Sequence, residues 1–286
     1  MSLKGTNKVY VVGVGLTKFI KPGNPKNPDY PAMGKQAILR ALHDADLPYS
    51  AIEQATASYV YGDSTCGQRV LYEVGLTGIP IYNTNNNCSS GASAIFMCHQ
   101  FIKSGLHDCC LAIGFEKMEK GSLGIKFTDR EAPLAPQLKK NDQWVGQNPA
   151  SPWAPQFFGN AGREHMKKYG TKESHFAKIA YKNHLHSTNN PYSQFKDFYT
   201  LNQIENSPKV YDMLTKLQCC PTSDGAGAVI LASREFVLKN NLEDQAVEIV
   251  GMAMATDTPS TFDDQFRSSM SLAGNSPFQI NKIIRL

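Results

Sequence analysis

The stretch Asn83–Met97, NTNNNCSSGASAIFM, places one cysteine, Cys88, between an asparagine run and a block of very small residues. The residues before Cys88 are typical of a β-strand that ends in a turn, and the residues after it are typical of a helix. A thiol at such a junction has two interpretations. It is either a small side chain packed in the core or a nucleophile that the turn presents to a substrate.

Strand-like and helix-like segments alternate on both sides of this junction. The strand-like segments are residues 8–15 (KVYVVGVG), 56–62 (TASYVYG), 79–85 (IPIYNTN) and 109–118 (CCLAIGFEKM), and the helix-like segments are residues 31–47, 68–76 and 88–105. Strands that alternate with helices form a sheet covered by helices, because each crossover helix returns the chain to the start of the next strand. The sequence therefore predicts an α/β fold with a mostly parallel sheet.

The pattern changes in the middle of the chain. Between residues 118 and 220 it is interrupted by Gly, Pro, Asn and Lys, with helical islands such as ESHFAKIAYKNHLHS. Residues 224–233, DGAGAVILAS, then return to strand-like sequence. We interpret residues 1–117 and 221–240 as one α/β half into which residues 118–220 are inserted as a loop domain.

A short internal similarity indicates a duplication. Residues 246–257 (AVEIVGMAMATD) share a Val and a Val-Gly pair with residues 8–19 (KVYVVGVGLTKF) at matching positions. A second copy of the α/β unit would begin at such a strand. We therefore expect residues 241–286 to be the start of a second half that is cut short and ends in a divergent tail.

Composition excludes several classes of protein. The net charge of +4, with 41% hydrophobic and 19% charged residues, is ordinary for a soluble globular protein. No basic–aromatic run indicates nucleic acid, and no apolar stretch approaches the roughly 18 residues that cross a bilayer. The seven cysteines contain no CxxC spacing, which argues against zinc and favours a reducing compartment. We expect a soluble intracellular protein without a bound metal.

Local sequence would give Cys88 its reactivity. The first turn of a helix presents backbone N–H groups and the positive end of the helix dipole, which favour a thiolate. Ser89 and Gly91 have small side chains, so a substrate can approach the backbone of the turn. The N–H groups there can then stabilise negative charge that develops on the substrate. The segments around Cys66, Cys98, Cys109 and Cys110 instead fit buried packing. The residues alone leave both interpretations of Cys88 open.

Several separated segments resemble one known family. NNNCSSGASAIF resembles the nucleophile segment of thiolases, and GFEKMEKGS, NNPYSQF and CCPTSDGAGAVILAS fit the same family. Together with YVYGDSTCGQRVLYEVGLTGIPIYN, they resemble the sterol-carrier-protein branch of the thiolases over about residues 8–262. The resemblance implies a thiolase-like α/β fold: a first βαβαβαββ half with an inserted loop domain, then a similar second half, which is truncated in this chain.

The resemblance also implies a thiolase-type acyl-CoA C-acyltransferase of lipid metabolism, with branched-chain or sterol side-chain fatty acids as substrates. In that mechanism the Cys88 thiolate attacks the 3-keto carbon of a 3-oxoacyl-CoA, a shorter acyl-CoA leaves, and coenzyme A then removes the acyl group from sulfur. Coenzyme A is thus a co-substrate, and no cofactor stays bound. The residues expected to contact the substrate are Ser89, Gly91, Glu116, Met118, Arg163 and Lys167.

The family implies a peroxisomal location, or otherwise a cytoplasmic one, and a homodimer or pairing with a full-length thiolase subunit. This chain departs from the family after residue 246, where an HDCF-like motif, a GHP motif and a late cysteine are expected and none occurs. Those motifs supply acid–base groups, so we expect little activity of the chain alone. The alternative function is a non-catalytic acyl-CoA-binding or regulatory truncated isoform.

The predicted helix 88–105 carries apolar or small residues nearly all round. A helix of that kind has no polar stripe to turn toward water. It must be buried on every side to be stable, and its small residues Gly91, Ala92 and Ala94 suit close approach by another helix. In the family, the equivalent helix of the second half fills that place, and this chain does not supply it. We therefore expect an uncovered helix face that makes the chain prone to aggregate or is covered by a second copy, a full-length thiolase subunit or a chaperone.

Overall fold

The computed structural model describes residues 8–119, 124, 126–146, 151–254 and 256. The chain divides into two compact units. The first unit is Met1–Ser122 with Thr222–Ala253, and the second is Leu123–Pro221 with Met254–Leu286.

The helices and strands of the described residues alternate in the first unit and are mainly helical in the second. In chain order they are β1 (Val9–Leu16), α1 (Tyr30–Asp44), β2 (Gln54–Ser58), α2 (Cys66–Tyr72), β3 (Ile81–Thr84), α3 (Ser90–Lys103), β4 (Cys109–Glu116), α4 (Ala135–Val145), α5 (Trp153–Tyr169), α6 (Glu173–Ser187), α7 (Leu201–Glu205), β5 (Lys209–Tyr211), β6 (Leu214–Thr215), β7 (Gly225–Ser233), α8 (Arg234–Lys239) and β8 (Val247–Glu248).

The first unit contains a sheet with the strand order β3-β2-β4-β7-β1-β8. Strand β2 is parallel to β3 and β4, whereas β7 is antiparallel to both β4 and β1. The sheet is mixed because the chain leaves β4 at Glu116 and re-enters at Gly225, which are direct partners in the register. Two of its strand pairs are parallel and three are antiparallel, so the prediction of a mostly parallel sheet is wrong. The predicted βαβαβαββ half is confirmed, with the insertion between its last two strands.

Two glycines of β1 allow α1 to approach the sheet closely. A Cβ at Gly13 would lie 2.5 Å from the Ala41 carbonyl oxygen, and a Cβ at Gly15 would lie 2.2 Å from the Ala37 carbonyl oxygen. Glycine in a strand interior commonly marks such an approach, because any side chain would push the helix away. The VGVG pattern of the first strand is therefore a packing requirement of α1.

Helices cover both faces of the sheet. On one face, α1 and α2 pack over a core that contains Cys109, and on the other face α3 packs over a core that contains Cys98 and Cys110. Cys109 and Cys110 are consecutive in β4, so their side chains point to opposite faces. These three cysteines are completely buried, in agreement with the packing interpretation.

Helix α3 is shorter than predicted and is buried mainly on one side. It begins after Asn87, whose φ is +49°, and ends before Gly105, whose φ is +75°. Its sheet-facing residues are Ala94, Cys98 and Ile102, whereas Gly91 and Ala92 are exposed and Ile95, Phe96 and Met97 are half-buried. The main contacts of α3 in the described part of the chain are with strands of the sheet, so the face that carries Gly91 and Ala92 is uncovered there, as expected. A second copy or another subunit on this face stays a prediction.

The inserted unit has its own core. Helices α6 and α7 pack through Ala177, Ala180 and Ile204. A buried polar cluster connects α4, α5 and β5: Asn160 Nδ2 donates to Asn141 Oδ1 at 2.6 Å, and the Tyr211 hydroxyl donates to Asn160 Oδ1 at 2.9 Å. Hydrogen bonds of this kind satisfy buried polar groups and fix the relative positions of the elements.

Within the part of the chain that the structure describes, no helix combines the length and the apolar character needed to cross a membrane. Nor does that part bring together three or more His, Cys, Asp or Glu side chains in a way that would hold a metal ion.

Candidate active site

Cys88 lies on a sharp elbow between β3 and α3. Asn87, directly before it, adopts a left-handed conformation, which asparagine tolerates better than most residues. Ser89, directly after it, is the N-cap of α3. Cys88 therefore precedes the first helical residue by two positions, instead of opening the helix as predicted. It is exposed.

Asparagine and serine side chains build this elbow. The Asn86 carbonyl accepts hydrogen bonds from the backbone N–H and the hydroxyl of Ser89, at 3.1 and 2.8 Å. Asn86 N–H donates to Ser90 Oγ at 2.9 Å, and Asn86 Nδ2 donates to Ser93 Oγ at 3.0 Å. The Asn87 carbonyl accepts from the backbone N–H and the hydroxyl of Ser90, at 3.1 and 2.6 Å. The polar residues around the cysteine are therefore the hydrogen-bonding groups of the turn.

The start of α3 lies on the carboxyl ends of β2 and β4. A Cβ on Gly114 of β4 would meet Ser58 Oγ at 3.2 Å and the Cα atom of Gly91 at 3.8 Å. A Cβ on Gly91 itself would meet open space. Ligands of open α/β sheets bind beside the carboxyl ends of the strands, so the elbow occupies a suitable edge of the sheet.

Glu116, at the end of β4, holds the loop that follows β2. Its carboxylate accepts the backbone N–H of Val60 at 2.8 Å and the backbone N–H of Tyr61 at 3.2 Å. Burial raises the pKa of the Tyr61 phenol, and the charges of Glu116 and Cys88 raise it further. Tyr61 is thus held through its backbone by Glu116, and both Glu116 and Cys88 act on its phenol.

A cleft of about 370 Å³ opens beside this loop, with Tyr30, Tyr61, Cys66, Glu116 and Lys117 among its lining residues. A hydrogen bond with the Cys66 thiol raises the pKa of Tyr30 to about 12, so this phenol stays protonated at neutral pH. Most of the lining side chains carry a polar end beside an apolar body or ring, so the cleft offers both polar and apolar surface to a ligand.

Asp224 connects the two points where the chain leaves and re-enters the sheet. It is fully buried, and its Oδ1 atom accepts the Met118 N–H at 2.8 Å. Its Oδ2 atom accepts Asn27 Nδ2 at 3.2 Å and lies 3.4 Å from Lys117 Nζ. Met118 is therefore fixed through its backbone two residues beyond Glu116, and its contact with substrate stays a prediction.

Arg163 and Lys167, the remaining predicted contacts, belong to α5 of the second unit. Arg163 Nε donates to Asp212 Oδ2 at 2.7 Å, and Arg163 Nη2 donates to Asn160 Oδ1 at 3.2 Å. The guanidinium is thus engaged within its own unit. Lys167 is exposed in the last turn of α5. A contact of either residue with coenzyme A stays a prediction.

Exposure separates Cys88 from most of the other cysteines. Cys66, Cys98, Cys109 and Cys110 are buried, Cys219 is half-buried and Cys220 is exposed. Burial raises the pKa of the Cys109 thiol, and also that of Cys219. Thiols that are buried and protonated are poor nucleophiles, because the thiolate is the attacking species.

Three residues that the sequence reasoning did not single out contribute to this region. They are Asn86, Tyr61 and Asp224. The asparagine run before the cysteine was a usable signal for Asn86, since asparagine side chains commonly bond to nearby backbone in turns. Tyr61 and Asp224 had no local signal, because their partners are 55 and 106 residues away.

One family model and several known proteins match this chain. The model described as the N-terminal domain of thiolase matches residues 9–235. Sterol carrier protein 2 of Rattus norvegicus is 58% identical over 259 residues, which make up 90% of this chain and 47% of that protein. An acetyl-CoA acetyltransferase of Methanothermobacter thermautotrophicus is 31% identical over 261 residues, which make up 89% of this chain and 64% of that protein. The chain thus spans about half the length of the sterol carrier protein that it matches.

A solved structure supports the same fold. Human mitochondrial 3-ketoacyl-CoA thiolase in complex with CoA matches with a TM-score of 0.61 at 19% identity, covering 82% of this chain and 67% of that chain. A likeness at this level of identity concerns the fold alone.

Proposed function

The chain belongs to the thiolase family, a family of acyltransferases, and on this premise we propose that it is a thiolase-type acyl-CoA C-acyltransferase with Cys88 as its nucleophile. The observation that carries the proposal is the position of Cys88. It is exposed, on a hydrogen-bonded elbow at the start of α3, beside the carboxyl ends of β2 and β4. A nucleophile must be both accessible and held in place, and this elbow offers both properties.

In the proposed reaction, Cys88 Sγ forms a bond to the 3-keto carbon of a 3-oxoacyl-CoA. The bond between C2 and C3 then breaks, so the acyl group stays on sulfur and the shorter acyl-CoA leaves after C2 takes a proton. Coenzyme A attacks the thioester in the second step and regenerates the thiol. The positive end of the α3 dipole lies next to Cys88, where it stabilises negative charge on sulfur.

The acid and base of this reaction are not assigned to residues of this chain. His99, the histidine of α3, lies nine positions beyond Ser90, or roughly 13 Å along the helix. Burial lowers its pKa, which keeps the ring neutral. The proposal therefore rests on the nucleophile, and the expectation of low turnover by this chain alone stays a prediction.

Similarity supports the proposed substrate class. A relative named sterol carrier protein 2 is 58% identical, which favours branched-chain or sterol side-chain acyl groups. A solved thiolase of the same fold contains bound CoA, which favours coenzyme A as the co-substrate. Lipid metabolism is the process in which both would be used.

The test is covalent capture of an acyl group. The chain is incubated with acetoacetyl-CoA without free coenzyme A, quenched in acid and digested, and we expect an acetyl mass increment on the Cys88 peptide together with released acetyl-CoA. Prior alkylation with iodoacetamide is the control that should remove the increment. Acetylation of Cys66 or Cys220 instead would overturn the assignment of the nucleophile. Binding of acetoacetyl-CoA without any capture would favour the acyl-CoA-binding or regulatory alternative.

A homodimer and a peroxisomal location are further parts of the proposal. The dimer is supported by β3, an outer strand of the described sheet, whose Tyr82 is 44% exposed and stacks on Phe101. Outer strands with exposed aromatic residues readily pair with another chain. We expect the mass of a dimer in sedimentation velocity, and a strictly monomeric chain would contradict this. Failure of the tagged chain to co-localise with a peroxisomal marker would contradict the location.

A further inference from the structure

We propose that Asn86 is a positioning residue that holds the Cys88 thiol at the start of α3. The inference rests on the proposed function, because it concerns how the nucleophile of that reaction is presented. It adds to that function a residue that does not touch the substrate and acts only through the geometry of the elbow.

Asn86 has four hydrogen bonds to the first turns of α3. Its carbonyl oxygen accepts from the N–H and the hydroxyl of Ser89, at 3.1 and 2.8 Å. Its N–H donates to Ser90 Oγ at 2.9 Å, and its side-chain amide donates to Ser93 Oγ at 3.0 Å. These bonds span Cys88 on both sides without involving its side chain.

Two of these partners lie on one face of the helix. Ser90 and Ser93 are three residues apart in α3, and each is only 6% exposed. The backbone and the side chain of Asn86 therefore hydrogen-bond to the same buried face of α3. These bonds set the angle between the end of β3 and the axis of α3. Since water has little access to these bonds, it cannot easily replace them.

The left-handed conformation of Asn87 explains why these hydrogen bonds are needed. A left-handed backbone is less favourable than a right-handed one even for asparagine, and neighbouring contacts stabilise it. Hydrogen bonds from Asn86 fix the residue before Asn87 to the helix after it. Without them, the backbone is free to relax from the left-handed conformation, and the Cys88 sulfur moves with it. A displacement of about 1 Å can cost 10²-fold in rate.

The test compares two exposed thiols in the same molecule. In the 286-residue chain, Cys88 and Cys220 are alkylated with limiting iodoacetamide, and the rate at each site is followed by peptide mapping. We expect Asn86→Ala to slow Cys88 alkylation by about two- to fivefold, the range that a helix dipole supports at an exposed site, while Cys220 keeps its rate. Acetyl capture from acetoacetyl-CoA should slow by about tenfold or more, since it is more sensitive to geometry.

Ser93 supplies a second variant that reports on the same contact. Ser93→Ala removes the acceptor of the Asn86 amide and also the hydroxyl that donates to the Ser89 carbonyl at 3.0 Å. The double variant isolates the Asn86 contact: we expect the effect of Asn86→Ala with Ser93→Ala to be smaller than the product of the two single effects. Ser93→Thr keeps the hydroxyl and should restore most of the rate. Labelling of the buried Cys98 would reveal unfolding of Asn86→Ala, in which case Ser93→Ala and Ser93→Thr carry the test.

The outcomes separate the two proposals. Acetyl capture that is equally fast in wild type and in Asn86→Ala and Ser93→Ala would overturn the positioning role and leave the proposed function intact. Slower Cys88 alkylation in the variants, with no acetyl capture by the wild type, would overturn the proposed function and support the positioning role.

Discussion

Replacing Cys88 by serine should lower acetyl capture from acetoacetyl-CoA by on the order of 10³-fold or more. A serine hydroxyl is a weak nucleophile unless a base removes its proton, and among the described residues no histidine is assigned to that role. The shape of the elbow should be preserved, because the hydrogen bonds of Asn86 and Asn87 do not involve the side chain at position 88. Rapid quenching followed by mass spectrometry gives the rate.

Cys220→Ser is the matched control for this prediction. Cys220 is exposed like Cys88 but lies in the segment that joins the inserted unit to β7. This variant should capture the acetyl group at the wild-type rate. Equal capture by Cys88→Ser and the wild type would mean that another residue is the nucleophile.

Replacing Asp224 by alanine should lower the free energy of unfolding of the first unit by about 2–4 kcal/mol. Asp224 is 0% exposed, and its removal leaves the Met118 N–H without its acceptor. The Asn27 side-chain amide loses one of two acceptors and keeps the Lys21 carbonyl at 2.8 Å. Lys117 also loses its ion pair, but that side chain is one-third exposed and regains water, so its share of the loss is small. The change is large because a buried donor without a partner costs more than a surface contact is worth.

Hydrogen exchange measured by mass spectrometry can localise this effect. Peptides from β4 and β7 report on the first unit, to which both strands belong. Tryptophan fluorescence would not do so, because both tryptophans, Trp144 and Trp153, belong to the second unit. In Asp224→Ala, we expect faster exchange in β4 and β7, together with a lower urea midpoint of the first unit. Asp224→Asn keeps an acceptor for the Met118 N–H and should cost about 1–2 kcal/mol. Unchanged hydrogen exchange in both variants would refute the view that the Asp224 carboxylate fixes the two points where the chain leaves and re-enters the sheet.

The Asp224 prediction also concerns the proposed site. Met118 and Lys117 directly follow Glu116, whose carboxylate holds the loop that carries Tyr61. A more mobile backbone at Met118 should therefore also make the position of the Glu116 carboxylate less fixed. An Asp224 variant that folds but captures acetyl groups more slowly would show that the contacts of Asp224 influence the proposed site.

Local sequence determined the order and type of most elements. The apolar periodicities predicted β1 to β4 and the helices between them, and the segment ESHFAKIAYKNHLHS coincides with α6. These signals are local, because a helix or a half-buried strand repeats its apolar residues at a fixed spacing. The same reasoning located Cys88 at a strand-to-helix junction. It placed the helix start two residues too early, since the left-handed Asn87 shifts the N-cap to Ser89.

Only the tertiary structure decided which groups meet. The sheet takes β7 between β4 and β1, which pairs Glu116 with Gly225 across the inserted unit. Asp224 contacts Met118 from 106 residues away, and Glu116 reaches the N–H of Val60 from 56 residues away. The carboxylate of Glu116 and the backbone of Met118 make hydrogen bonds inside the protein, and their predicted contacts with substrate stay predictions. A periodic pattern specifies which face of an element is buried, whereas the partner of a single polar group depends on distant chain segments that meet only after the sheet has formed.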